Sequence, residues 1–478
     1  MAKNAPSSTR IYQIGFGLFF LFICYGAVRK MMAGSLTSAK QIAFLSIAFA
    51  VTMILDARYW LILPLCMALG IRVPGLPFNS CELGGIAFSA MYLIRTCLHR
   101  DPAERWNRVL LCAFPLFFWI CLIWIMNPAG MNMFGSESMG GRFYFRILVA
   151  FGAMCSMGSR HLGEADCHLL FRVIAIGAVL SIILNVAAPA LRDIEGADET
   201  ISRYYLLAFA GLYTIIWARY SIAEIMSSLF LFGFAALSAM ALAVSGKRSV
   251  TASIGLLPIY RAVLTWRYIG RTMVAGFVAF LALSVVVSMD GTYVTVPSSA
   301  KRSLAVVFPK YRDRSRQGIR DTFREQIHLG AKQIIRDHPW MGRRGFRMDR
   351  DTSIWLYGMG FEGRYAGHMF SGNWHGAFWA FPADFGIPCL VFYLFFVWRS
   401  LIFTFRYAKW IPTGTARSAC FLFYGMQFLH TSLMMFTSGH SALTAEQSML
   451  QLGMLAAIAN GIESDNGCRS LSVGSVGI

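Results

Sequence analysis

The chain has 478 residues, 56% of them hydrophobic and 14% charged, with a formal net charge of +19. Apolar runs recurring from end to end are those of a polytopic integral membrane protein rather than a water-soluble domain. Its eleven cysteines lie in or beside those runs, with none between Cys167 and Cys389, which excludes a disulfide-stapled extracellular module.

The N-terminus, MAKNAPSSTRIYQIGFGLFFLFICYGAV, has a basic start and an apolar run, but ends in RKMMAG rather than a small-residue cleavage site. It reads as a first membrane helix and not as a signal peptide. A helix needs about 20 apolar residues to cross a bilayer, with shorter runs tolerated in thinner lipid. On that basis spans are expected near 11–28, 40–55, 59–71, 81–97, 108–126, 143–158, 168–188, 204–218, 222–245, 249–264, 273–289, 377–398, 418–437 and 442–462. The fold class is therefore all-α, with about 12–14 transmembrane helices. Residues 1–289 form the N-terminal membrane part, 290–376 a large basic and partly helical loop, and 377–478 the C-terminal helices and tail.

Lysines and arginines in short loops favour the cytoplasm. RTCLHRDPAERWNR, RAVLTWRYIGR and RSLIFTFRYAKW fall on one side by parity, which puts both termini inside and residues 290–376 outside. RKMMAGSLTSAK, after the first span, is the exception. The outer loop carries fifteen Lys and Arg against eight Asp and Glu. Long translocated loops largely escape the positive-inside rule, and such charge suits either anionic headgroups or an anionic substrate.

Within the loop, GIRDTFREQIHLGAKQIIRDHP predicts an amphipathic helix ending before Pro339. Ile319, Phe323, Ile327, Ala331 and Ile334 make one apolar stripe, while Arg316, Arg320, Arg324 and His328 recur every fourth residue along another. Like charges at that spacing repel, so an anion facing this ridge would relieve it. Two further basic sites stand at outer membrane ends: Lys247 and Arg248 in AVSGKRSVTAS, and Arg192 and Arg203 in ALRDIEGADETISRYYLLAFAG. The last loop residues lead into NWHGAFWAFPADFGIPCLVFYLFFVW, which opens an apolar run with His375 and Asp384.

Together these stretches resemble the O-antigen ligases and the related O-antigen and exopolysaccharide polymerases. His375, Asp384 and Gly386 keep the spacing of the family's histidine-led helix, and Arg324 and Pro339 that of an arginine-led helix closing in a proline turn. SGKR echoes a third family motif, SxSR. The chain differs from the family at Gly376, Cys389 and Lys247, where asparagine, glycine and serine are usual.

The resemblance implies transfer of a glycan from an undecaprenyl-diphosphate-linked donor to an acceptor hydroxyl, with no cofactor and no metal. A polymerase acting on a lipid-linked acceptor repeat unit is the first expectation, and a ligase acting on lipid A-core the alternative. The catalytic set would be His375 as general base with Arg324 and Arg248 on the diphosphate. Arg203, Lys247, Arg320, His368 and Asp384 are the substrate-binding candidates. Guanidinium groups suit a leaving diphosphate because their planar fork binds phosphate oxygens in pairs and stays protonated. Along a straight helix Asp384 lies opposite His375, so its partner is expected to be a basic residue elsewhere, such as Arg248.

The implied location is a bacterial inner membrane with the site facing the periplasm, and the implied partners are the bilayer, a chain-length regulator and polysaccharide export proteins, with no nucleic acid. A transporter or flippase of lipid-linked sugars is the remoter reading. The chain lacks the corresponding halves and midplane charge pattern that such proteins usually display.

Overall fold

The computed structural model describes residues 56–70, 79–97, 106–126, 141–187, 209–244, 248–266, 269–296, 301, 304–305, 308–311, 314–345, 374, 376–411, 414–436 and 440–465. At 56–57, 142, 184–187, 244, 248–251, 269, 271, 275, 279, 314–324 and 465 it describes the backbone alone. The described residues are helical almost throughout and contain no strand. Packing divides them into a unit ending at Asp101 and another beginning at Pro102.

In the first unit a 3-10 turn, Asp56–Leu61, leads into α1 (Ile62–Leu69), which stops at Gly70 in the left-handed conformation. Helix α2 (Ser80–Cys97) starts where Asn79 and Glu82 cap one another reciprocally, and it packs closely on α1 because Gly84 leaves room for Cys66. Tyr59 stacks on Phe88, with the Arg95 guanidinium 5.4 Å from the Tyr59 ring centre.

The second unit begins with a 3-10 turn, Arg108–Ala113, capped by Asn107, and continues through α3 (Phe114–Met126), α4 (Gly141–Gly158), α5 (Glu164–Ala187) and α6 (Phe209–Arg219). Next come α7 (Ile222–Ser227), α8 (Leu229–Val244), α9 (Arg248–Thr265), α10 (Ile269–Met289) and α11 (Arg314–Asp337). The last four are α12 (Ala377–Phe385), α13 (Ile387–Ala408), α14 (Ala416–Met434) and α15 (Ser441–Asp465). The stretch 222–245, expected as one span, is two helices. Ser221 and Glu224 form a capping box that starts α7, and Ser228 is extended, so the chain turns before α8 begins.

Helices α14 and α15 form the centre of this unit. Helix α15 is buried along almost its whole length, which its glycines and alanines permit. Gly453 meets the Met154 backbone of α4, where a Cβ would come within 2.9 Å. The chain after α4 bonds directly to α15: Leu162 donates to the Ala457 carbonyl, and Asn460 donates to the carbonyls of Gly158 and Arg160. Small residues at such contacts let backbones approach, the usual basis of packing where lipid removes the hydrophobic drive between helices.

Among the described residues, four stretches are long and apolar enough to cross a membrane: Arg108–Met126, Glu164–Ile183, Thr272–Met289 and Ile387–Ala408. They mark a membrane protein, and exposed Phe230, Met240, Phe277 and Val278 on α8 and α10 suit contact with acyl chains. The chain leaves α10 through a closed turn. Lys310 donates to the carbonyls of Val287, Ser288 and Asp290 at 2.9, 3.4 and 3.0 Å, satisfying acceptors that a helix end leaves open. The Asp290 carboxylate accepts from the Val296 amide at 2.8 Å and pairs with Lys301 at 2.7 Å.

Candidate functional site

The expected loop helix is present as α11, ending at Asp337 just before Pro339. Ile327, Ala331 and Ile334 of its apolar stripe are buried, and the helix packs on α12. The four-residue row continues past His328 to Lys332, and both reach the same indole. The His328 ring lies 5.6 Å from that of Trp379, and the Lys332 ammonium lies 5.6 Å from the Trp379 ring centre. By register Arg324 and Arg320 stand one and two turns before His328 on that row.

Helix α12 is short for a reason written in FPADFGIP. Gly386 has φ 85°, where side chains are strained, and Pro388 opens α13 without an amide to continue the α12 ladder. The break leaves the last α12 carbonyls without helical donors. Three outside groups take them. Arg343 donates its amide to the Ala383 carbonyl at 2.8 Å, Gly345 to Asp384 at 2.6 Å, and the Trp119 indole to Phe385 at 2.9 Å. In return Ile387 donates to the Pro339 carbonyl at 2.8 Å. The turn that ends α11, residues 339–345, is thus bonded into the α12–α13 break.

The Asp384 side chain sits at the centre of this junction and is fully buried. Its Oδ1 accepts from Arg343 Nε at 2.8 Å and from Trp374 Nε1 at 3.0 Å, and its Oδ2 from Ser441 Oγ at 2.8 Å. Arg343 and Trp374 are buried with it, and the guanidinium lies 5.7 Å from the Trp374 ring centre. A buried carboxylate is costly unless paired and hydrogen-bonded, and this one has a guanidinium and two further donors. The basic partner found for Asp384 among the described side chains is Arg343 in the loop turn. At the other end of α12, Phe378 donates to the Met435 carbonyl, which fixes the helix start to the α14–α15 connection.

Behind the junction α4 and α15 hold a second buried pair, Arg146 Nε to Glu446 Oε2 at 3.4 Å. The Phe143 ring centre lies 5.7 Å from the Arg146 guanidinium and 6.2 Å from the ring of His440.

The other predicted site residues divide as follows. Arg248 opens α9, and Arg320 and Arg324 belong to α11; each is described by its backbone alone. His375, His368, Arg203 and Lys247 lie outside the described residues. The neighbours of His375 in the chain, Trp374 and Gly376, are described, and Trp374 is fixed on Asp384. Sequence reasoning missed Arg343, Trp374 and Ser441 as partners of Asp384. The available signal was the run GRRG, a basic pair between two glycines right after the proline turn. Among the described residues, no three His, Cys, Asp or Glu side chains converge to hold a metal ion.

Compared with known proteins, the chain matches no family model, and no curated protein matches it.

Proposed function

We propose that the protein is a polytopic inner-membrane polysaccharide polymerase that transfers a glycan from undecaprenyl diphosphate to the hydroxyl of a lipid-linked repeat unit. The observation that carries this reading is the cationic row of α11, which docks through His328 and Lys332 on Trp379 of α12. That helix follows His375 in the chain by two residues. A row of guanidinium groups beside a histidine-led helix suits a reaction in which a diphosphate leaves and a hydroxyl loses its proton.

In this mechanism Arg324 and Arg248 bind the diphosphate, with Lys247, Arg203 and Arg320 adding charge around it. Their fixed positive charge stabilises the negative charge that grows on the leaving oxygen as the sugar–phosphate bond breaks. His375 accepts the proton of the acceptor hydroxyl as that oxygen attacks the sugar carbon, an imidazole being able to titrate near neutral pH. The apolar helices hold the polyprenyl chain, and the loop 290–376 covers the site on the periplasmic side. Asp384 acts as an anchor inside the protein, its two oxygens being occupied by protein donors.

The test uses purified protein in lipid with native lipid-linked repeat units as both donor and acceptor. A ladder of products differing by one repeat unit is the expected result, while repeat units that stay unextended would refute the assignment. Transfer to lipid A-core without a ladder would make the protein a ligase instead.

A further inference from the structure

We propose that Arg343 is a positioning residue for this transfer: through Asp384 it holds the histidine-bearing segment and the arginine-bearing helix in one register. The inference rests on the transferase reading and adds a residue that the reading did not contain.

The argument begins with what one carboxylate holds together. Asp384 Oδ1 accepts from two donors that arrive from opposite ends of the loop's C-terminal half. Arg343 belongs to the turn that closes α11, the helix of Arg320 and Arg324. Trp374 precedes His375 by one residue. The third donor, Ser441, opens α15, the buried central helix. The segment meant to take a proton and the helix meant to bind the diphosphate are therefore tied to the same oxygen of one carboxylate, and its other oxygen is tied to the core.

The arrangement is directional as well as close. Arg343 presents its Nε to the carboxylate and its backbone amide to the Ala383 carbonyl, so the residue grips α12 at two points. Gly342 and Gly345, on either side, take positive φ values of 58° and 90°, and a Cβ on Gly342 would lie 2.5 Å from the Ala383 oxygen. The turn fits against α12 only with glycine there. A loop held this way fixes the distance between donor-binding and base-bearing groups, and small errors in that distance are expensive. A displacement of about 1 Å in a reacting geometry costs on the order of 10²-fold in rate.

A positioning role makes a prediction that a purely structural one does not. Loosening the junction should leave the diphosphate-binding groups in place on their own helices while misaligning them with the base, so turnover falls and donor binding persists. The experiment compares wild type, Arg343→Gln and Arg343→Lys in lipid, measuring the folded amount, binding of undecaprenyl diphosphate and turnover of lipid-linked repeat units. The expected result for Arg343→Gln is a turnover loss on the order of 10²-fold, with undecaprenyl diphosphate affinity close to wild type. Arg343→Lys should recover part of the turnover, since it keeps the charge without the planar fork.

If Arg343→Gln does not accumulate, Trp374→Phe replaces it. That change keeps an aromatic ring and deletes the donor to Asp384, and it should show the same loss of turnover at unchanged affinity. Wild-type turnover in whichever of these variants accumulates overturns the positioning role while leaving the transferase reading intact. A turnover loss that only matches the loss of folded protein overturns it too. Wild-type protein that extends no repeat unit overturns the transferase reading itself, and the proposal with it.

Discussion

Gly342 and Gly386 face each other across the junction of the loop turn and the helix break: a Cβ on Gly342 would lie 2.8 Å from the Gly386 nitrogen. A Cβ on Gly386 would in turn run into the carbonyl of Trp340. Both glycines are required, because Gly342 leaves the space that the end of α12 and the Gly386 nitrogen fill, and Gly386 leaves the space that the backbone of Trp340 and Met341 fills.

Gly386→Ala should therefore be strongly destabilising. Its φ of 85° with ψ 165° is a region open essentially to glycine, which costs roughly 1–3 kcal/mol for another residue, and the backbone clash comes on top. Gly414 makes the comparison clean: its φ is 91°, but a Cβ there would meet nothing within 4 Å. Thermal unfolding in detergent should show Gly386→Ala well below Gly414→Ala, with residues 339–345 newly open to protease. Equal midpoints would mean the turn is not docked as described.

The arginine of the loop helix gives the second prediction. Arg324→Ala should abolish transfer with normal amounts of protein in the membrane, a loss of about 3 kcal/mol or more in transition-state stabilisation. Arg324 stands on the polar row of α11 and outside its buried stripe, so the fold should tolerate the change. Arg324→Lys should also lose most activity, because an ammonium cannot reproduce the two-pronged contact. Quantifying polymer from cells carrying each variant as the sole copy decides it, and near-wild-type polymer removes Arg324 from the site.

What could be read from the sequence follows from the range of the forces involved. Helix α11 was legible because its stripe and its row repeat every three to four residues and Pro339 ends them. The expected span 377–398 is instead broken at Gly386 into α12 and α13, and the apolar count passed over Pro382, Gly386 and Pro388, the local signals of that break. The Asp384 partner was not legible. Arg343 lies 41 residues away, and a pairing that crosses a loop has no period to betray it. The apolar count also treated α15 as an ordinary span, whereas its buried Glu446, Gln451 and Asn460 are bonded or paired to neighbouring helices. Mean hydropathy does not separate a helix facing lipid from one enclosed by protein.

The loop base supplies a pH prediction. Lys301 and the Val296 amide hold the Asp290 carboxyl below its ordinary value. A carboxyl lowered by folding adds stability above its unfolded value, and that contribution disappears as pH falls through the folded one. Protease sensitivity of 290–311 should thus stay constant through neutral and mildly acidic pH and rise only below about pH 4. Asp290→Asn should be sensitive already at neutral pH. A wild-type transition near pH 6 would point to a different group.

The Arg146–Glu446 pair predicts non-additivity. Both side chains are buried, so removing one takes from the other the opposite charge that it faces at 3.4 Å, and breaking a buried pair costs about 3–5 kcal/mol. Replacing both by apolar residues of similar volume is often neutral. Glu446→Leu and Arg146→Met should each lower the thermal midpoint sharply, and the double variant should recover most of the loss. Simple addition of the two single effects would show that the pair is not coupled.

The last prediction concerns His375. Its chain neighbour Trp374 is locked to Asp384, and α12 begins two residues later with its first turn tied to the Met435 carbonyl. The chain on both sides of His375 is thus held by buried contacts, which suits a side chain that must meet an acceptor hydroxyl in one orientation. Removing a general base typically costs 10²- to 10⁴-fold in rate. Binding through the arginines does not depend on that proton transfer. His375→Ala should therefore bind undecaprenyl diphosphate as wild type does and fail to extend lipid-linked repeat units. Its residual rate should also lose the acidic limb of the wild-type pH profile, because that limb reports protonation of the base in the free enzyme. His368→Ala is the companion variant. If it is inactive while His375→Ala works normally, His368 is the base, and if both remain active the reaction proceeds without a histidine base.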